Sequence, residues 1–188
     1  MTLDPLRRAE DSMLVAPRPC STLVVGLGNP ILGDDGVGWR VAEAVRDRLH
    51  SSILGAPSLS ASDRRLEVDC AALGGLSLME RLIGYDRAIV IDAIATGTRP
   101  VGSVFSCALE DLPDRSAGHT TAAHDTTLQN ALEVGHRMNA HLPENIHIVG
   151  VEAELVFDFS EELSPPVAKA VPEAANRVIN LATKEVVQ

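Results

Sequence analysis

The chain predicts a three-layer α/β/α sandwich built on a mostly parallel, twisted five-stranded sheet flanked by helices. Three observations carry that expectation. Short β-branched runs alternate with stretches of helical spacing in the order βαβαββαβα. The run Arg87 to Ile91 (R-A-I-V-I) has the unbroken apolar character of an interior parallel strand. Finally, the glycine-rich turn from Gly26 to Gly38 sets two consecutive carboxylates, Asp34 and Asp35, between a strand and a helix. At 188 residues and 45% hydrophobic content, the chain suits one ordinary domain with a single core. Residues 1–20, with Pro5, Pro17 and Pro19 among mixed charges, read as a flexible lead-in, and residues 21–188 as the domain.

The elements follow in order. Thr22 to Val25 suits a buried first strand, and Val37, Val41, Ala44, Val45 and Leu49 recur at helical spacing. Ser51 to Asp63 is rich in Ser, Gly and Pro and predicts a surface loop, followed by a strand at Arg65 to Asp69 and a short helix at Gly74 to Ile83. The third strand, Arg87 to Ile91, closes on Asp92-Ala-Ile. Val101 to Ala108 reads as a fourth strand, and Asp111 to Asp125 as a long polar loop. Thr126 to Met138 reads as a helix capped by Thr126 or Asp125. Ile146 to Val151 supplies the fifth strand and Pro165 to Val187 the last helix.

Composition excludes several classes of function. A net charge of −10, with basic pairs only at Arg7-Arg8 and Arg64-Arg65, repels nucleic acid and anionic membrane surfaces. Asp4, Glu10 and Asp11 interrupt any signal-peptide pattern and no segment has the length of a membrane span, so a cytoplasmic location is expected. Cys20, Cys70 and Cys107 are odd in number and lack C-x-x-C spacing. They read as reduced, mostly buried thiols, and neither a disulfide framework nor a cysteine-rich zinc site.

Three polar residues stand where ligands bind in open α/β sheets: Asp35 after the first strand, Asp92 after the third, and His124 before the helix at Thr126. Neighbouring strands lie about 5 Å apart, so side chains from adjacent carboxyl ends and a nearby loop can meet. Two carboxylates and an imidazole without thiolate suit zinc or nickel. Each residue also has a plainer role. Asp34 and Asp35 equally suit N-caps, with the cap assigned to Asp34; Asp92 suits a strand-terminating turn; His124 competes with His119 in its loop. His50, His136, His141 and His147 fall on helix surfaces or strand edges without a matching carboxylate.

Other signatures fail. Ile31 stands where the dinucleotide fingerprint needs its third glycine, and the acids of the turn would repel a pyrophosphate. V-G-L-G-N-P resembles the opening of peptidyl-tRNA hydrolases only as far as Pro30. No G-x-S-x-G elbow or H-E-x-x-H helix is present, and Asp125-Thr-Thr lacks the glycine of the aspartic-protease D-T-G signature.

The pattern as a whole resembles the hydrogenase maturation endopeptidases, which trim the C-terminal extension of [NiFe] hydrogenase large subunits. The resemblance covers roughly Thr22 to Leu181. G-L-G-N-P-I-L-G-D-D-G-V-G at Gly26 to Gly38 is similar to that family's G-x-G-N-x-x-x-x-D-[DE]-G-x-G. V-I-D-A-I at Val90 to Ile94, P-V-G-S at Pro100 to Ser103, and His124 with Leu128 follow its later motifs. The resemblance implies metal-binding roles for Asp35, Asp92 and His124, with Asp35 and Asp92 also catalytic. It implies recognition of nickel already carried by the large-subunit precursor, in a site that other divalent ions such as zinc could occupy. The chain departs from the family pattern at Ala122, at Asp69-Cys-Ala-Ala-Leu-Gly-Gly and at Val151-Glu-Ala. A non-catalytic adaptor that binds the nickel-bearing precursor without cutting it is the alternative.

Overall fold

A computed structural model describes residues 20–55, 64–112, 127–154 and 159–183. Its five strands are β1 (Cys20–Leu27), β2 (Arg64–Ala71), β3 (Arg87–Ile94), β4 (Val104–Ala108) and β5 (Asn145–Glu152). The four helices are α1 (Val37–Gly55), α2 (Gly75–Leu82), α3 (Leu128–Arg137) and α4 (Pro165–Thr183). The strands form one sheet in the order β2-β1-β3-β5-β4. Every neighbouring pair is parallel except β4 against β5.

Strand alternation sorts the core onto two faces. Val24, Ile89, Ile91, Val149 and Val151 point to one side, where Val37, Val41 and Val45 of α1 and Val167, Ala174 and Val178 of α4 cover them. Leu23, Val25, Val90 and Ile148 point to the other, under Leu78, Met79 and Leu82 of α2 and Ala131 and Leu132 of α3. Strands buried on both faces need apolar residues at nearly every position, which is why β1 and β3 read as continuous runs. The fold class and the order of elements match the sequence expectation.

Element boundaries moved for local reasons. α1 runs on through Gly55, taking in Ser51 and Ser52 that the sequence assigns to a loop. Ser51 Oγ donates back to the Asp47 carbonyl at 2.8 Å, so the serine is accommodated within the helix. β3 continues past Asp92 to Ile94, because Asp92, Ala93 and Ile94 still pair with β5. β4 starts only at Val104, since Pro100 to Ser103 close a turn through Ser103 N–H to the Pro100 carbonyl, with Gly102 at φ 85°. α3 starts at Leu128, and its cap is Thr127, whose side chain accepts from Asn130 N–H. The earlier candidates Asp125 and Thr126 lie outside the described residues, as do residues 1–19 of the lead-in.

Candidate functional site

The chain passes from β1 to β2 on one side of β1, then crosses over to β3 on its other side. The crossover directions therefore diverge between β1 and β3, and the carboxyl ends of those two strands open a crevice there. Asp35 and Asp92 both lie at this crevice.

Beyond β1 the chain turns through Gly28, at φ 114°, and Gly33, at φ 58°, into a single 3₁₀ turn, Gly33–Gly36. A Cβ on Gly28 would stand 1.8 Å from the Asp35 carbonyl oxygen, so only glycine permits the fold-back that presents Asp35. Asp35 Oδ2 accepts from Asn29 N–H at 2.6 Å, which fixes the carboxylate's direction. Asp34 does not cap its own helical turn. Its two oxygens accept from Ser164 N–H at 2.6 Å and Ser164 Oγ at 2.7 Å, tying the turn to the start of α4. The consecutive acids thus divide the work, one fastening the loop and the other facing the crevice.

Asp92 sits inside β3 opposite Gly150 and shares the α2/α3 face with Val90 and Ile94. Burial pushes its carboxyl up to about 7, and the negative charge of Asp35 adds to that rise; a hydrogen bond from Ala93 N–H works against it. A cation bound between two carboxylates coupled in this way would relieve both the burial and the repulsion. Among the described residues no three His, Cys, Asp or Glu side chains gather closely enough to hold a metal ion. His124, the predicted third member, and its competitor His119 lie outside the described residues.

Glu152, at the end of β5, was missed as a contributor. Its side chain is 2% exposed, and it accepts from Thr96 Oγ1 and Gly97 N–H, each at 2.7 Å. It pins the loop that leaves β3 just beyond Asp92. The available signal was a lone acid closing the buried run V-G-V-E-A. The expectation that the remaining histidines lack carboxylates also needs correction. His141 Nε2 lies 3.0 Å from Asp86 Oδ1, while Asp86 Oδ2 accepts from Ser21 N–H and Oγ. This serine, aspartate and histidine lie at the opposite end of the sheet. The aspartate stands between the other two, so the imidazole does not reach the hydroxyl and the group is a clamp. Cys70 and Cys107 are half-buried thiols as expected, but Cys20 is exposed.

Fold and site together define an α/β protein with an acidic crevice at the divergence point of its sheet. Residues 68–181 match the family model described as hydrogenase maturation protease (HycI), and the chain belongs to that family. It is 28% identical over 166 residues to the hydrogenase expression/formation protein HupD of Rhizobium leguminosarum bv. viciae, covering 88% of this chain and 74% of that protein. HoxM of Azotobacter vinelandii, a hydrogenase expression/formation protein, is 27% identical over 83% of this chain and 69% of its own length. Among solved structures, the hydrogenase maturating endopeptidase HybD from E. coli superposes with a TM-score of 0.63 at 22% identity, covering 86% of this chain and 91% of that one. The [NiFe] hydrogenase maturation protease HybD from Thermococcus kodakarensis gives 0.55 at 19% identity, over 87% and 99%. These structural likenesses concern the fold. Among the described residues no helix is long and apolar enough to cross a membrane.

Proposed function

We propose that this protein is an endopeptidase of aspartic type that removes the C-terminal extension of a nickel-loaded [NiFe] hydrogenase large-subunit precursor in the cytoplasm. The observation that supports this reading most is the pair Asp35 and Asp92, electrostatically coupled at the crevice of a chain that belongs to the maturation proteases. Nickel is carried in by the substrate. Asp35, Asp92 and His124 would hold it, and a bound divalent ion supplies polarisation of the scissile carbonyl. In the proposed hydrolysis Asp92 takes a proton from water as the water oxygen bonds to the carbonyl carbon. It returns that proton to the amide nitrogen as the C–N bond breaks. Asp35, held by Asn29 N–H, keeps a second carboxylate directed at the same place.

The test is intact-mass analysis of the precursor after incubation with the protein, with and without nickel. Loss of a C-terminal peptide only from the loaded form is the expected result. Asp35→Asn, Asp92→Asn and His124→Ala should each abolish that loss while leaving the far-ultraviolet circular dichroism unchanged. Full cleavage by a folded Asp92→Asn protein would remove this residue from the mechanism. Metal-dependent binding with no new C-terminus would identify the protein as an adaptor.

A further inference from the structure

We infer that a cleft beside β4 takes the excised segment of the precursor and that Arg99 holds a carboxylate of that segment. This rests on the endopeptidase reading above and names how its substrate is gripped. The cleft has a volume of about 380 Å³, and Ile94, Thr96, Arg99, Phe105, Cys107 and Asp111 are among the residues that line it.

Register places the cleft relative to the site. Asp92 pairs with Gly150, and Gly150 pairs with Phe105, so Phe105 stands level with Asp92 two strands away, about 10 Å. Val90 and Ile94, which flank Asp92 on its own side of β3, and Phe105 belong to the same core, so acid and cleft share one face of the sheet. The Phe105 ring lies across Gly150, where an added Cβ would stand 2.4 Å from its Cζ.

The Arg99 guanidinium lies 4.4 Å from the centroid of that ring. The aromatic face orients the cation without neutralising it. Among the described residues Arg99 has no hydrogen bond or ion pair, and Asp111, which also lines the cleft, is not joined to it. Its loop is held in place: Glu152 accepts from Thr96 and Gly97 through its side chain and from Gly102 N–H through its carbonyl. A cation without a charged partner among the described residues, in a chain of net charge −10, is complementary to an anionic group of an incoming ligand.

A cleft of this size admits a narrow peptide and not the folded, nickel-bearing body, which selects the excised side of the scissile bond. At about 3.3 Å per residue, 10 Å places the bound carboxylate roughly three residues beyond that bond. It is either an acidic side chain or the terminal carboxylate.

The test compares wild type, Arg99→Gln and Arg99→Lys on three nickel-loaded precursors: native, C-terminally amidated, and with the acidic side chains of the extension changed to amides. Arg99→Gln should raise KM about tenfold with kcat unchanged, and Arg99→Lys should restore most of the loss. The altered precursor that lacks the responsible carboxylate should show the same loss with wild type and none further with Arg99→Gln, which separates the two sources. In parallel, a labelled extension peptide is titrated by fluorescence anisotropy. Equal binding to wild type and Arg99→Gln overturns the inference whether or not cleavage occurs. Arg99-dependent binding without cleavage by wild type would instead overturn the endopeptidase reading and leave the docking site standing.

Discussion

Gly38→Ala should cost this protein a large part of its stability, because a methyl group there has nowhere to go. Gly38 lies in the first turn of α1, pressed against the ends of two strands. A Cβ at this position would stand 2.2 Å from the Leu27 carbonyl oxygen of β1, 2.6 Å from the Ile91 carbonyl oxygen of β3 and 2.8 Å from Leu27 N. All three are backbone atoms fixed by sheet pairing, so no side chain can swing aside. The helix would have to lift by about 1 Å from both strands, parting Val37, Val41 and Val45 from the core they fill. Overpacking typically costs about 1–3 kcal/mol, and contact with two fixed strands puts this case at about 3 kcal/mol. For a domain of this size that corresponds to a fall in Tm of about 6–12 °C. Urea titration followed by circular dichroism, together with a thermal melt, measures both. Gly74→Ser is the control. A side chain there meets nothing within 4 Å, and the residue occupies the N-cap of α2 at φ −141° without a side-chain hydrogen bond. The serine should therefore gain about 0.5 kcal/mol. A Gly38→Ala protein within 0.5 kcal/mol of wild type, about the size of an ordinary surface substitution, would refute the close approach of helix and sheet.

Two further outcomes follow from the clamp and the thiols. Hydrogen bonds from Ser21 N–H, then Ser21 Oγ and His141, hold the Asp86 carboxyl below its ordinary 3.8. The unfolded chain therefore takes up this proton first on acidification. The stabilisation is present above 3.8 and is lost as pH falls through the lower folded value. Urea midpoints from pH 6 down to pH 2.5 should fall less steeply in Asp86→Asn than in wild type, and parallel curves would exclude Asp86 as a source of acid sensitivity. Burial pushes the Cys70 and Cys107 thiols up, whereas Cys20 is exposed. A thiol reagent at pH 8 should thus show one fast equivalent, which Cys20→Ser removes, and two slow ones. Three equally fast thiols would contradict the placement of Cys70 and Cys107.

Much of the architecture was legible because it is written between near neighbours. Val24, Ile89 and Ile91 announce strands through β-branching and continuous apolarity, and Val37, Val41 and Val45 announce a helix through their spacing. The turn from Gly26 to Gly38 announces a site because glycines and acids are placed where strand gives way to helix. The errors fell where distant contacts overrule local preference. Asp34, a plausible cap by its position, bonds Ser164, 130 residues away. His141, with no acid near it in sequence, meets Asp86, 55 residues earlier. Glu152, which stands in the sequence only as part of a departure from the family pattern at Val151-Glu-Ala, is a buried acceptor for Thr96 and Gly97.

By itself, the sequence determined the succession of strands and helices, the apolar faces they bury, and the acids that terminate or approach the ends of β1 and β3. Those are properties of side-chain period and backbone freedom within a few residues. Folding of the whole chain was needed to set β1 and β3 side by side, to run β4 antiparallel at the edge, and to bring Phe105, with Arg99 over its ring, level with Asp92. Strand order and register are settled by pairing between segments far apart in the chain. Such pairings follow from the packing of the whole core and leave no local signature to read.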